Sequence, residues 1–302
     1  MAWSNADIPD QTGRRAVVTG ATSGLGYETA RVLAAHGADV VVTSRGAARA
    51  EAAAAELTRI TGAKVDGLSL DLGDLDSVGH AADAVLAGGP LDLLINNAGI
   101  MATPRRLSPQ GFESQLAVNH LGHVALTARL LAHLRPGGRV VTVSSGLHRV
   151  ARTDFDDPAS ERRYSPFRAY GRSKLANLLF AFELDRRLRA AGATVASLAA
   201  HPGHAESGLR DHMGPVSRAV GHVMGALIGH STADGALPQL RAATDPAATG
   251  GEFYGPGGRA GMRGAPVIVG SSTAARDATL AAQVWDRTLE LAGVQLELTP
   301  RH

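Results

Sequence analysis

Along the first two thirds of the chain, short runs rich in β-branched residues alternate with longer Ala- and Leu-rich stretches of helical period. The runs at 16–19, 39–43, 64–70, 91–95, 139–144 and 194–199 predict strands, and 25–36, 46–60, 74–86, 111–134 and 167–191 predict helices. A short last strand is expected at 252–254 and a closing helix at 274–292. Strands that alternate with helices at this spacing need crossover connections, and these bury both faces of a parallel sheet. The pattern therefore predicts an α/β fold, a doubly wound parallel sheet of about seven strands with helices on both faces. Two stretches break the rhythm: 146–166 is a polar insertion rich in Arg and Asp, and 204–230 is a weakly amphipathic Gly-, His- and Met-containing segment, as a substrate cover would be. No internal repeat or low-complexity linker divides the chain, so residues 1–302 are expected to form one domain.

Composition narrows the options. Aromatics make up only 4% of the residues, so the core must come from Ala, Val and Leu. The formal charge is +2, and the basic residues are scattered singly or in pairs without interleaved aromatics, which argues against nucleic acid as a partner. The absence of cysteine excludes disulfides, thiolate catalysis and cysteine metal sites. The first residues lack an apolar signal core, and the most membrane-like stretch, 219–229, is interrupted by His222. A cytoplasmic protein without membrane contact is the expectation.

After the first predicted strand, Val18-Thr19-Gly20-Ala21-Thr22-Ser23-Gly24-Leu25-Gly26 leads into a helix. Glycines there let the backbone turn tightly against a pyrophosphate, and the helix start adds N–H groups and a positive dipole end. Gly20, Thr22, Ser23, Gly24, Leu25 and Gly26 are thus candidate cofactor contacts, although three glycines in a turn can also be purely structural. The spacing is Gly-x-x-x-Gly-x-Gly rather than the Gly-x-Gly-x-x-Gly of ordinary dinucleotide sites. Past the second strand, Thr43-Ser44-Arg45 offers no carboxylate for the adenosine ribose; the Arg45 guanidinium suits a 2′-phosphate and favours NADP(H). Asp71, followed by Leu72 at the end of the third strand, either accepts from the adenine amino group or caps the next helix ahead of Asp74.

Carbonyl chemistry needs a proton donor as well as a hydride. Tyr170 is the candidate, and Lys174 lies one helical turn further on the same face, where its charge should favour the phenolate over a free phenol of pKa roughly 10. Of the 30 basic residues 28 are Arg, leaving only Lys64 and Lys174, so a lysine here is a specific choice. Such a pair can equally decorate a solvated helix. Its context is Ser144–Ser145 at the carboxyl end of the fifth strand, where parallel sheets bind ligands and a hydroxyl can donate to a substrate oxygen. His120 and His123, like His201 and His204, have a spacing open to metal ligation, but no third ligand is implied, and no metal is expected.

These residues resemble the short-chain dehydrogenases/reductases over nearly the whole length: Thr19-Gly20-x-x-x-Gly24-x-Gly26, Asn96-Asn97-Ala98-Gly99, Asn119, Ser145, Tyr170-x-x-x-Lys174 and Pro202-Gly203 occur in the family's order. The resemblance implies a Rossmann-like fold and assigns Tyr170 as acid–base residue and Ser145 as the group orienting the carbonyl. It has Lys174 lower the tyrosine pKa and grip the nicotinamide ribose. Asn119 would distort its helix and hold a water that relays protons to Lys174. Asn97, Ala98 and Gly99 would line the cofactor, with His201-Pro202-Gly203 passing over the nicotinamide and Ser207 near the carboxamide. Asn119-His120-Leu121-Gly122-His123, Ser173-Lys174-Leu175-Ala176-Asn177 and the long gap between Ser145 and Tyr170 resemble the retinol-dehydrogenase-like and protochlorophyllide-reductase-like branch. The implied partner is a small-molecule carbonyl or alcohol, expected to be apolar and medium to large, with walls from 101–107, 146–166 and 204–230 that mix Leu147, Phe155, Met213, Val223 and Met224 with many Arg. Family members dimerise through the Asn119 and Tyr170 helices, whereas monomers occur in this branch. The alternative reading is an NADP(H)-binding sensor or scaffold without turnover; such relatives usually have an eroded Tyr, Lys or Ser.

Overall fold

The computed structural model describes residues 2–151, 155–203, 231–258 and 261–298. Eight strands form one sheet: β1 (Arg15–Val18), β2 (Asp39–Ser44), β3 (Val65–Ser69), β4 (Leu91–Asn96), β5 (Leu134–Val143), β6 (Ala196–Ala200), β7 (Phe253–Pro256) and β8 (Pro266–Ile268). Their order is β3-β2-β1-β4-β5-β6-β7-β8, parallel throughout except for the β7–β8 pair. The helices are α1 (Gly24–Ala35), α2 (Ala47–Thr61), α3 (Leu75–Ala87), α4 (Ser114–Leu116), α5 (Gly122–Leu130), α6 (Pro166–Ala190), α7 (Thr232–Thr244) and α8 (Ala278–Ala292). The doubly wound α/β expectation holds, with an eighth strand added at the edge.

Alternation along each strand divides the core between two layers. Val18, Val40, Val42, Ile95 and Leu198 face α1, α2 and α7, meeting Ala30, Leu33, Leu57 and Leu240. Val17, Val41, Leu94 and Val140 face the opposite way, toward Val85, Val124 and Phe180 of α3, α5 and α6. Strand order reverses at β1 and β4, so their carboxyl ends open a crevice, and the glycine turn lies beside Asn97–Gly99 there. Among the described residues no helix is long and apolar enough to cross a membrane.

Three departures from the predicted elements have local causes. The helix expected over 111–134 starts at Ser114 because the Glu113 carboxylate caps it, accepting from the N–H groups of Gln115 and Leu116. Before its end the chain turns into the sheet: Leu134 pairs with Leu91, and the register shifts before Arg139 pairs with Leu93. Helix α7 was not predicted, because Pro238 in its middle reads as a breaker; the helix tolerates the lost N–H, and Pro238 is buried. Helix α8 lies against α5 and α6, with Trp285 stacked on Phe180 at 5.2 Å and the Arg187 guanidinium 4.7 Å from the Trp285 ring centre. Those are the two helices through which the resemblance implies a dimer, and here the chain's own last helix takes part of their surface.

Candidate active site

The glycine turn is held from three sides. Gly20 and Gly24 have φ values of +64° and +57°, which side chains with a Cβ disfavour. Ala21 N–H donates to the Thr43 carbonyl at 3.1 Å, tying the turn to β2. Asn97 Nδ2 donates to the Thr19 carbonyl at 2.8 Å, and Thr19 Oγ1 accepts from the N–H groups of Asn97 and Ala98, both at 2.9 Å. A Cβ on Gly26 would stand 2.5 Å from both Asn97 Nδ2 and the Gly20 carbonyl. Gly26→Ala is therefore expected to cost about 1–3 kcal/mol of stability by overpacking and to lower dinucleotide affinity, read from a thermal melt with and without nucleotide.

These groups fit a dinucleotide. Helix α1 opens at Gly24 with no side chain bonded across its cap, so its first N–H groups are available to a pyrophosphate. At the far end of the groove Ser44, Arg45, Gly46, Ala48 and Arg49 line an open cleft with two exposed guanidiniums. Arg49 was not singled out from the sequence, although it follows Arg45 by one turn. Asp71 does not cap α3, a role taken by Asp74; its Oδ1 instead accepts from Gly73 N–H at 2.8 Å. The Leu72 side chain is buried in the core.

The chemical residues come together at the ends of β4 and β5. Ser145 caps a 3-10 turn (Gly146–Val150), and its hydroxyl lies next to the Tyr170 phenol on α6. Tyr170 is 5% exposed, and Lys174 Nζ lies 5.7 Å from its ring centre. Nζ donates to the Val143 carbonyl at 3.0 Å, which also accepts from Asn177 Nδ2 at 3.1 Å. It lies 3.5 Å from where a Gly99 Cβ would be, so Gly99 is the backbone beside the amine. Ser144, by contrast, donates its hydroxyl to the Lys174 carbonyl and is buried; it is a fastener of α6 to β5.

The expected softening of the phenol by Lys174 is not what dominates among the chain's own groups. Burial raises Tyr170 to about 12, opposed by the neighbouring Ser145 hydroxyl, and lowers Lys174 to about 8. Desolvation penalises phenolate and ammonium alike. At neutral pH this leaves a neutral phenol, ready to give a proton, beside a charged amine.

Asn119 lies in a π-turn (Ala117–Leu121) between α4 and α5, so its helix is locally distorted. Its side chain clamps the Ile100 backbone, accepting from the N–H at 2.8 Å and donating to the carbonyl at 2.9 Å, and also donates to Ser173 Oγ at 3.0 Å. The two histidines that flank it have committed ring nitrogens. His123 Nδ1 must donate to the Asn119 carbonyl, so its Nε2 accepts from Thr19 Oγ1; these contacts are 3.1 and 2.9 Å. His120 spans Asn177 Oδ1 and Thr288 Oγ1, both at 3.0 Å. Burial holds His120 at about 4 and His123 at about 3, so both are neutral ties. A relay water on the Asn119 carbonyl would share that oxygen with His123.

The pocket walls are only partly as expected. Phe155 is buried in the core, tilted against His120 at 6.1 Å. The insertion is fastened to the 101–107 loop, where Tyr164 donates its hydroxyl to the Thr103 carbonyl at 2.6 Å and Arg105 donates to the Ala159 carbonyl at 2.9 Å. His201 closes β6 and accepts from Gly203 N–H at 3.2 Å; burial lowers it to about 4. The expected cover at 204–230, with Ser207, His204, Met213, Val223 and Met224, lies outside the described residues. Gln239 of α7, absent from the sequence reading, donates to Thr29 Oγ1 and to Asn97 Oδ1, joining α7 to the glycine turn.

Known proteins share this arrangement. Residues 14–215 match the short chain dehydrogenase family. The chain is similar to polyprenol dehydrogenase of Mus musculus, 41% identical over 294 residues that span 95% of this chain and 86% of that one. A crystal structure of an uncharacterised protein from Mycobacterium paratuberculosis has a TM-score of 0.83 and 43% identity, covering 98% of this chain and 100% of that one. A short chain dehydrogenase from Burkholderia cenocepacia in complex with NADP has a TM-score of 0.65 and 26% identity, covering 81% of this chain and 96% of that one. The chain therefore belongs to the short-chain dehydrogenase family and is an oxidoreductase that works with a nicotinamide cofactor.

Proposed function

We propose that this protein transfers a hydride between NADP(H) and an apolar carbonyl or alcohol, with Tyr170 as its acid–base residue. The observation that carries the reading is the convergence of Tyr170 and Lys174, 5.7 Å from ring centre to Nζ, beside Ser145 at the carboxyl end of β5, with the Asn119 clamp behind them. The reduced nicotinamide supplies the hydride to the carbonyl carbon. Ser145 would donate to the carbonyl oxygen and orient it, and Tyr170 would give that oxygen its proton as the C–O single bond forms. The Lys174 ammonium, held against the Val143 carbonyl beside Gly99, would stabilise the phenolate left behind and hold the nicotinamide ribose of a bound cofactor. In the oxidative direction Tyr170 takes the hydroxyl proton instead.

The near-full-length likeness to a polyprenol dehydrogenase supports an apolar, isoprenoid-like alcohol or aldehyde as the substrate class. A panel of aldehydes and ketones graded from short polar to long isoprenoid, with farnesal as the first probe, tests this by NADPH consumption. Turnover confined to small polar carbonyls would overturn the apolar reading, and bound NADPH without turnover across the panel would favour a sensor.

Arg45, with Arg49 beside it, supports NADP(H) over NAD(H). Arg45→Ala should weaken NADPH binding roughly 10- to 150-fold, the equivalent of about 1.5–3 kcal/mol for a hydrogen bond to a charged group. NADH binding should stay within twofold. Equal losses for both nucleotides in a fluorescence titration would remove the 2′-phosphate assignment.

A further inference from the structure

We propose that His148 is a positioning residue for the reaction, holding the Ser145 backbone so that the serine hydroxyl stays beside Tyr170. This rests on the catalytic reading of Ser145 given above. His148 is 1% exposed and sits in the turn that Ser145 opens. The Ser145 carbonyl accepts from His148 twice, from its backbone N–H at 3.1 Å and from ring Nδ1 at 2.7 Å. On the other side of the ring, Nε2 accepts from Ser272 N–H at 3.2 Å. A carbonyl can only accept and a peptide N–H only donate, so the partners fix one neutral tautomer, Nδ1–H with a bare Nε2. The ring is further seated edge-on to Phe253 at 5.7 Å, and Phe253 carries His201 at 5.2 Å.

The consequence is mechanical. Ser145 is half-buried, at a strand end where its hydroxyl meets both Tyr170 and Leu147 N–H. Ser144 N–H anchors the preceding residue on the Ala200 carbonyl at 2.7 Å, and His148 ties the Ser145 carbonyl to the segment following β8. The imidazole touches neither the phenol nor the lysine among the contacts of this site. It acts through the serine.

The test is a double-mutant cycle on the full chain, using the best carbonyl found in the panel and NADPH. His148→Phe keeps the ring against Phe253 but loses both polar atoms, and should lower kcat about tenfold while the NADPH dissociation constant stays within twofold. His148→Asn restores a donor near the Nδ1 position and should recover part of that loss; it also serves if the Phe variant folds poorly, with kcat then below wild type. In a Ser145→Ala background the His148 substitution should cost less than a further twofold, because the residue it positions is gone. An undiminished tenfold cost in that background, or wild-type kcat for both His148 variants, overturns the positioning role while leaving Ser145 catalytic. A fully active Ser145→Ala enzyme overturns the catalytic reading itself, and this inference with it.

Discussion

Tyr170→Phe should retain the fold and bind NADPH as the wild type does, yet turn over carbonyl substrates at least about 100-fold more slowly. The phenyl ring would fill the same buried space, since Tyr170 is 5% exposed and packs by its ring, so only the hydroxyl's work is removed. That hydroxyl lies next to Ser145, and the other described phenols are engaged elsewhere: Tyr27 with Glu56, Tyr164 with Thr103 and Gln115, and Tyr254 with Glu252. Steady-state kinetics beside a nucleotide titration separates the two effects. A Phe variant with wild-type kcat would remove Tyr170 from the chemistry and leave the surrounding hydrogen bonds without a catalytic purpose.

Lys174→Met should abolish turnover to a similar degree and, at neutral pH, make the protein more resistant to heat. Burial lowers the Lys174 amine from 10.5 to about 8, so the folded state holds its proton less tightly than the unfolded chain does. The resulting penalty is fully present below pH 8, where the amine is charged in both states, and fades as pH rises from 8 toward 10.5. Methionine of similar length avoids the penalty, and Asn177 remains as donor to the Val143 carbonyl. The gain in melting temperature should therefore shrink across that alkaline interval. Loss of activity together with a lower melting temperature at pH 7 would instead mark Lys174 as a structural fastener.

Much of this site is written locally in the sequence. The glycine turn and the Tyr170–Lys174 pair each span only a few residues, the serine follows directly on β5, and the strand and helix periods around them place them on their elements. The contacts that sequence reasoning missed join residues far apart along the chain. Thr19 meets His123, Gln239 meets Asn97, and His148 meets Ser272, partners separated by more than a hundred residues and marked by no shared period. Asn119 was legible as a distortion only through resemblance, because a π-turn has no composition of its own. Helix α7 was hidden by Pro238, and β8 by its three-residue length. The burial that raises the Tyr170 pKa was hidden for a different reason: helical spacing gives the proximity of phenol and amine but says nothing about how much water both have lost.

The stack of Trp285 on Phe180 ties the end of the chain to the helix bearing Tyr170 and Lys174, and Thr288 does the same for His120. During synthesis this helix leaves the ribosome long before Trp285 exists, so its outer apolar flank must wait uncovered. Premature termination anywhere between these helices would release a polypeptide that holds every reactive side chain and still lacks the piece that seals them, a natural target for quality control.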